Sequence, residues 1–424
     1  MDDSLGLVGH AEARASLDHC LKCTICETQC PVAAVTPLFP GPKYVGPQAE
    51  RFRADGSVDH SVDYCSGCGT CTLSCPQGVK IAELNSQARA AMKADHMPVR
   101  DRIITQTIAM GKLMTPVAPL ANAALRVRPL RVAVEATLGI HRDAPMPKAT
   151  SQTFMAWFRK RPVPSAPAPR GPVVFFHGCA GGYFEVETSK MTVEVLEHLG
   201  YRVVVPEQGC CGLAQQSNGL FEQATAAVLA LCDRLRSAGS DLPIISSSGS
   251  CTGMLKHEAR EIMGVSSEAL HDVGLRIRDT MEFLRELHEA NALDTSFRRQ
   301  DTTVVYHAPC QLKGQAMGLP AIDVLSLIPG VTIVESEVAC CGMAGTYGLK
   351  KEKHAVAQAV GEPLFTLIRD AAPELVLCDT ETCRWQIREA TGLPVEHPIS
   401  LVHRAYGLSA TRARRADPGA PSGA

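Results

Sequence analysis

Two cysteine runs constrain this chain more than anything else in it. Cys20, Cys23, Cys26 and Cys30 precede Pro31, and Cys65, Cys68, Cys71 and Cys75 precede Pro76. Each run reads C-x2-C-x2-C-x3-C-P, the ligand spacing of two-cluster bacterial ferredoxins. Thiolates three residues apart on a tight loop reach three irons of one cubane, and the fourth Cys of such a run usually ligates the other cluster. This reading assigns Cys20, Cys23, Cys26 and Cys75 to one [4Fe-4S] cluster, and Cys30, Cys65, Cys68 and Cys71 to a second. Zinc is the competing reading, because C-x2-C pairs also build zinc ribbons. Two complete copies, each with its trailing Pro, favour iron–sulfur and hence electron transfer.

The 424 residues suggest two or three domains, and ten of the 18 Cys lie beyond residue 170. Met1-Asp2-Asp3 is acidic with no apolar run after it, so no leader segment is expected. No stretch approaches 18 uninterrupted apolar residues, so no membrane-spanning helix is expected either. A reducing compartment with thiolates kept for metal follows. A formal charge of -2 argues against a nucleic-acid binder. The charge is unevenly spread: between Val99 and Pro172 twelve Lys and Arg face only Asp101, Glu135 and Asp143.

Residues 1–98 read as the ferredoxin-type unit, with helix formers from Lys80 to Ala94 and a Pro- and Gly-rich insert between the runs, expected to fold around the first loop or meet a partner. Residues 99–172 read as a basic helical connector with breaks at Pro116, Pro119 and Pro129 and a Pro-rich linker from Pro162. Its apolar residues beside basic ones suit either a membrane interface or packing on neighbours.

From residue 173 the chain repeats itself. Val173 to Cys179 resembles Val304 to Cys310, Cys210-Cys211-Gly212 matches Cys340-Cys341-Gly342, and Ser250-Cys251 matches Thr382-Cys383. Each copy alternates three short apolar strands with amphipathic helices, which implies parallel βα units with functional groups at strand C-terminal ends. The expected architecture is a mostly helical two-cluster domain followed by two tandem α/β domains, 173–300 and 301–408, and a disordered tail at 409–424.

The first copy brings Cys179, Cys210, Cys211 and Cys251 to one sheet edge; the second brings Cys310, Cys340, Cys341 and Cys383, with Cys378 close by. Adjacent Cys side chains can face one polynuclear cluster when the turn is sharp and Gly follows. Such modules resemble the Cys-Cys-Gly domain family, found in heterodisulfide reductases, glycolate oxidase iron-sulfur proteins and lactate-utilisation proteins. The combination is most similar to the C subunits of anaerobic glycerol-3-phosphate dehydrogenases, on Cys20 to Cys26, Pro40 to Lys43, Cys340 to Glu352, Glu381 to Ile387 and Glu396 to Ile399.

That resemblance implies a flavoprotein partner oxidising sn-glycerol 3-phosphate, a quinone acceptor, and attachment to the cytoplasmic face of the membrane. Family modules typically end in Cys-x-x-Cys, where this chain has Ser248 and Thr380. A further cluster is therefore expected in the second module, and a cluster or zinc in the first. The chain shows no G-x-G-x-x-G fingerprint and no phosphate loop, so oxidation of the alcohol needs another chain. Alternatives are the iron-sulfur component of a glycolate or lactate oxidising complex, a heterodisulfide-reductase-like redox protein, and a zinc-bearing scaffold.

Several side chains have two readings. His177 and His307 could hydrogen-bond cluster sulfurs or loop carbonyls. Tyr347 could donate to a quinone or sit in a core with its hydroxyl on backbone. Lys350 and Lys351 could meet a partner or start a solvated helix. Cys232 reads as an apolar core residue, and Trp157 and Trp385 as structural.

Overall fold

The computed structural model describes residues 8–52, 59–94, 96–162 and 168–408, so the tail assigned to 409–424 lies outside the described residues. Two four-stranded parallel sheets dominate. The strands are β1 (Pro172–Phe176), β2 (Arg202–Val204), β3 (Ile244–Ser246), β4 (Ile277–Asp279), β5 (Thr302–Tyr306), β6 (Val331–Glu335), β7 (Leu375–Leu377) and β8 (Val395–Glu396). The order is β2-β1-β3-β4 in one sheet and β6-β5-β7-β8 in the other, so the repeat in sequence is a repeat in topology. Val174, Phe175 and Phe176 of β1, and Val304, Val305 and Tyr306 of β5, are fully buried, as strands covered on both faces require.

One hydrophobic core joins the two sheets. Val173 and Phe175 of the first share it with Val304 and Tyr306 of the second, through a middle layer of helices. In that layer Val186–His198 packs on Ile399–Ala405, and Thr280–Glu289 packs on Pro320–Leu325. The outer faces carry Phe221–Ser237, where Cys232 is fully buried, and His354–Ala371. The fourth strands were not expected from sequence. They have three and two residues, and Arg278 interrupts the apolar run of β4.

In the connector, Pro119 and Pro129 stand at the starts of the helices Ala118–Ala124 and Arg128–Leu138 rather than breaking them. A first-turn proline loses no hydrogen bond, because its N–H would have had no helical partner. The insert wraps the N-terminal unit: Phe39 and Val45 join Cys30 and Cys65 in one apolar cluster, and Lys43 pairs with Glu27 at 3.3 Å.

Candidate metal centres and the cavity between them

The two N-terminal loops share one backbone design. Lys22 and Thr24 in the first, and Gly67 and Gly69 in the second, take left-handed conformations at matching offsets from Cys20 and Cys65. These kinks lead into one-turn helices, Ile25–Thr28 and Thr70–Leu73, that carry Cys26 and Cys71. Cys26 has Cys20, Cys75 and Cys23 as its thiol neighbours, whereas Cys71 has Cys65, Cys68 and Cys30. Amides of Ala33 and Val79 point at the sulfurs of Cys30 and Cys75, at 3.5 and 3.4 Å.

Burial pushes the Cys26 thiol up to about 11 and the Cys30 thiol up to about 12. Buried thiols like these bind as thiolates only where a cation supplies compensating charge. The donor set therefore fits iron: sulfur ligands in two groups of four, with amides aimed at sulfur.

In each module the thiols form a string. Cys179 opens the helix after β1, Cys210 and Cys211 turn after β2, and Cys251 follows β3. Cys210 has the Cys179 and Cys211 thiols beside it, and the sulfurs of Cys211 and Cys251 stand 3.1 Å apart. The second string runs from Cys310 through Cys340, Cys341 and Cys383 to the fully buried Cys378. The thiols donating into Cys210 and Cys340 hold those two well below the usual range. Among the described residues no three His, Cys, Asp or Glu groups are placed to hold a single metal ion.

The glycine after each pair is required twice over. Gly212 and Gly342 have φ of +81° and +85°, and their amides point back at the sulfurs of Cys210 and Cys340. A Cβ on Gly342 would collide with the carbonyl of Ala357. Replacing Gly342 with Ala should cost more than about 2 kcal/mol and lower the unfolding midpoint by about 5 °C. A thermal melt of the variant that matches wild type would refute this.

Ser248 and Thr380, the two departures from the family pattern, both lie at the boundary between modules. The Ser248 hydroxyl reaches the Glu381 carboxylate at 3.2 Å, and Ser250 and Thr380 hydroxyls stand 3.2 Å apart. Each copy thus bonds the other's third-strand loop. Arg384 adds to the seam: fully enclosed, it bonds the carbonyls of Cys378 and Asp379 and reaches Glu185 of the first module at 3.3 Å.

A cavity of about 210 Å³ lies where the three domains meet. Cys68 lines it from the N-terminal unit, Cys179, Cys210, Cys211 and Cys251 from the first module, and Cys310, Cys340, Cys341 and Cys383 from the second. The connector helix Thr107–Met114 roofs it: Thr107, Met110 and Met114 face inward while Leu113 is exposed. Thr107 stands beside Cys179 and Cys210. A Cβ on Gly111 would overlap the Tyr183 ring, so this helix sits at close range on the first module.

His177, His307, Tyr347, Lys350 and Trp385 each find a partner inside the protein. His177 contacts the Gly178 carbonyl at 2.6 Å and His307 contacts the Ser336 hydroxyl at 3.0 Å; burial pushes both imidazoles down to about 4. Tyr347 donates to the Tyr64 carbonyl at 3.0 Å and does not line the cavity. Lys350 does not start a solvated helix: it is buried against Asp101 and Asn218, at 2.7 and 2.8 Å. Trp385 lines the cavity and donates to Glu185 at 2.6 Å. Sequence reasoning read the connector as helical but did not bring Thr107, Glu258 or Gln311 to a cavity, because nothing local marks residues that meet only through the tertiary fold.

Residues 16–79 match the 4Fe-4S dicluster domain, and residues 173–256 and 304–388 each match the cysteine-rich domain. The chain is 36% identical, over 92% of its length, to the C subunit of the anaerobic glycerol-3-phosphate dehydrogenase of Escherichia coli K12, and covers 98% of that protein. The chain belongs to this C-subunit family. A more distant relative is the B subunit of the fumarate reductase (CoM/CoB) of Methanothermobacter marburgensis, at 26% identity over 88% of this chain and 67% of that one. The Escherichia coli K12 glycolate oxidase iron-sulfur subunit matches at 23% over 93% of this chain and 95% of its own. As a member of the C-subunit family with a dicluster domain, the chain is an iron–sulfur electron carrier with two [4Fe-4S] clusters. Its cysteine-rich modules are of the kind that hold further iron–sulfur centres.

Proposed function

We propose that this chain carries electrons from a flavoprotein partner oxidising sn-glycerol 3-phosphate to a quinone, while resting on the inner face of the cell membrane. The thiols of the two N-terminal sets, Cys20, Cys23, Cys26 and Cys75, and Cys30, Cys65, Cys68 and Cys71, hold two clusters in this reading. Cys310, Cys340, Cys341, Cys378 and Cys383 hold a third centre, and Cys179, Cys210, Cys211 and Cys251 a fourth. One observation carries the relay: Cys68 and the thiols of both modules, Cys378 excepted, open on the same cavity. Electrons arriving at the second N-terminal cluster therefore meet the module centres with no domain in between.

Iron, sulfide and zinc content of anaerobically purified protein, with EPR after reduction, tests this. Twelve or more irons per chain support the relay; about eight, with zinc in the modules, would sink it. A glycolate- or lactate-oxidising partner would leave every step in this chain unchanged and alter only the donor.

Membrane contact rests on the connector. Leu113, Val117, Leu120, Val127 and Leu130 are exposed large apolar residues, interleaved with exposed Lys112, Arg126 and Arg128. No helix of the described residues is long and apolar enough to cross a membrane, so contact would be interfacial. The double variant Leu113→Glu, Leu120→Glu should lose co-flotation with vesicles containing anionic lipid, at unchanged iron content. Undiminished flotation would refute this face as the contact.

A further inference from the structure

We infer that Arg89 is the counter-ion of the second N-terminal cluster and holds its potential up. This rests on the assignment of Cys30, Cys65, Cys68 and Cys71 to one centre. Arg89 lies on the helix Ile81–Lys93, one turn after Asn85, so both side chains leave the same face. That face meets Cys65. The Asn85 amide nitrogen stands 3.9 Å from the Cys65 sulfur, and the Arg89 guanidinium donates to the Cys65 carbonyl at 2.7 Å. A Cβ on Gly67 would lie 3.3 Å from a terminal Arg89 nitrogen, so the guanidinium is flush with the loop between Cys65 and Cys68.

What Arg89 lacks is an anion. It is 5% exposed, its other terminal nitrogen reaches the Ser86 hydroxyl at 3.5 Å, and its Nε has no hydrogen-bond partner among the described residues. No carboxylate of the described residues pairs with it. Asp63, two positions before Cys65, is taken by Lys93 at 3.2 Å and Lys353 at 2.7 Å. A guanidinium keeps its proton in a protein, and a buried charge with no partner is strongly destabilising. This one lies against a loop of thiols. Four thiolates outweigh the iron–sulfide core they hold, so the loaded site is the missing anion. The first set has no such cation: the charged group beside Cys26 is the carboxylate of Glu27, itself paired with Lys43 at 3.3 Å.

Uptake of one electron adds one negative charge to the second centre. The donor loses that electron, and no bond or proton changes hands. A fixed cation against the ligand loop favours the added charge, and an amide aimed at a ligand sulfur acts in the same sense. Removing the cation therefore lowers the potential.

The test is an EPR-monitored reductive titration of the iron-loaded full chain. In Arg89→Met, at equal applied potential, the reduced-to-oxidised ratio of one N-terminal cluster should fall about tenfold, which is ~59 mV for one electron. The other N-terminal cluster should titrate as in wild type, at unchanged iron content. Arg89→Gln, which keeps a donor for the Cys65 carbonyl without the charge, should show the same fall. Arg89→Lys, which keeps the charge, should stay close to wild type. The shifted wave should persist when Arg89→Met is combined with Cys20→Ser and Cys75→Ser, which leave the second cluster alone in the N-terminal unit. Unmoved midpoints in fully loaded Arg89→Met and Arg89→Gln would overturn the inference. An equal shift in Arg89→Lys would overturn it too, because Arg89 would then be a brace for the loop. Loss of about four irons in both neutral variants, with Arg89→Lys fully loaded, would support it, since the centre then needs its counter-ion to bind. Loss in all three would overturn it. A Cys20→Ser, Cys75→Ser protein short of about eight irons would instead remove the ligand assignment beneath the inference, whatever the Arg89 variants show.

Discussion

Exchanging Cys20 and Cys75 together for serine should cost the protein about four irons, whereas exchanging Cys20 and Cys30 should cost about eight. The difference follows from the interleaving of the two loops. Cys20 and Cys75 are 55 positions apart in sequence yet lie in one thiol neighbourhood with Cys26, while Cys30, four residues from Cys26, belongs with Cys65, Cys68 and Cys71. An arrangement in which each run fills its own cluster predicts the reverse pair of numbers. Iron analysis and EPR on the two double variants distinguish them directly. If Cys20→Ser, Cys75→Ser loses eight irons and Cys20→Ser, Cys30→Ser loses four, the crossed assignment is wrong.

Replacing Asp101 with Ala should destabilise the protein by about 3–5 kcal/mol, because it strips a buried cluster of cations of its shared partner. Asp101 is fully buried and accepts from Lys93 at 2.9 Å, Lys350 at 2.7 Å and Arg100 at 3.0 Å. Burial alone would raise its carboxyl, but Lys350 and Lys93 outweigh that and hold it well below the usual range. Its contribution is therefore complete above about pH 4 and is lost as pH falls through the acid range.

The variant has a second signature. Burial pushes Lys350 down to about 7 even with Asp101 present, Lys353 and Lys93 acting in the same sense. Without the carboxylate, Lys350 sheds its proton more readily, so the penalty should be smaller at pH 8.5 than at pH 6. Denaturant unfolding at both pH values checks the sign. Equal penalties would mean that Lys350 is not the uncompensated group.

What the sequence disclosed and what it withheld follow one physical division. The cysteine runs and the duplicated Cys-Cys-Gly modules were legible because ligand chemistry imposes fixed short spacings, and because a strand-helix rhythm repeats at a constant offset. β4 and β8 were not legible: two or three residues leave no measurable alternation. Lys350 read as a surface residue because its partner Asp101 lies 249 positions away. Pro119 and Pro129 read as interruptions because the sequence shows a proline without showing which turn of a helix it occupies. The cavity is the extreme case, assembled from three domains and a connector, with no two of its key walls adjacent in sequence. Ser248 and Thr380, visible from the start as departures, acquired a physical role only when the modules faced each other.

The contact between the N-terminal unit and the second module also sets a schedule. Lys353 donates to the Asp63 carbonyl and pairs with the Asp63 carboxylate at 2.7 Å, across 290 positions of chain. On the ribosome, at roughly 5–20 residues per second, Asp63 emerges some 15–60 s before Lys353. Throughout that interval Cys68 has no second module beside it. The N-terminal loops must therefore hold their own shape for that interval, and the last domain to fold is the one that encloses Cys68.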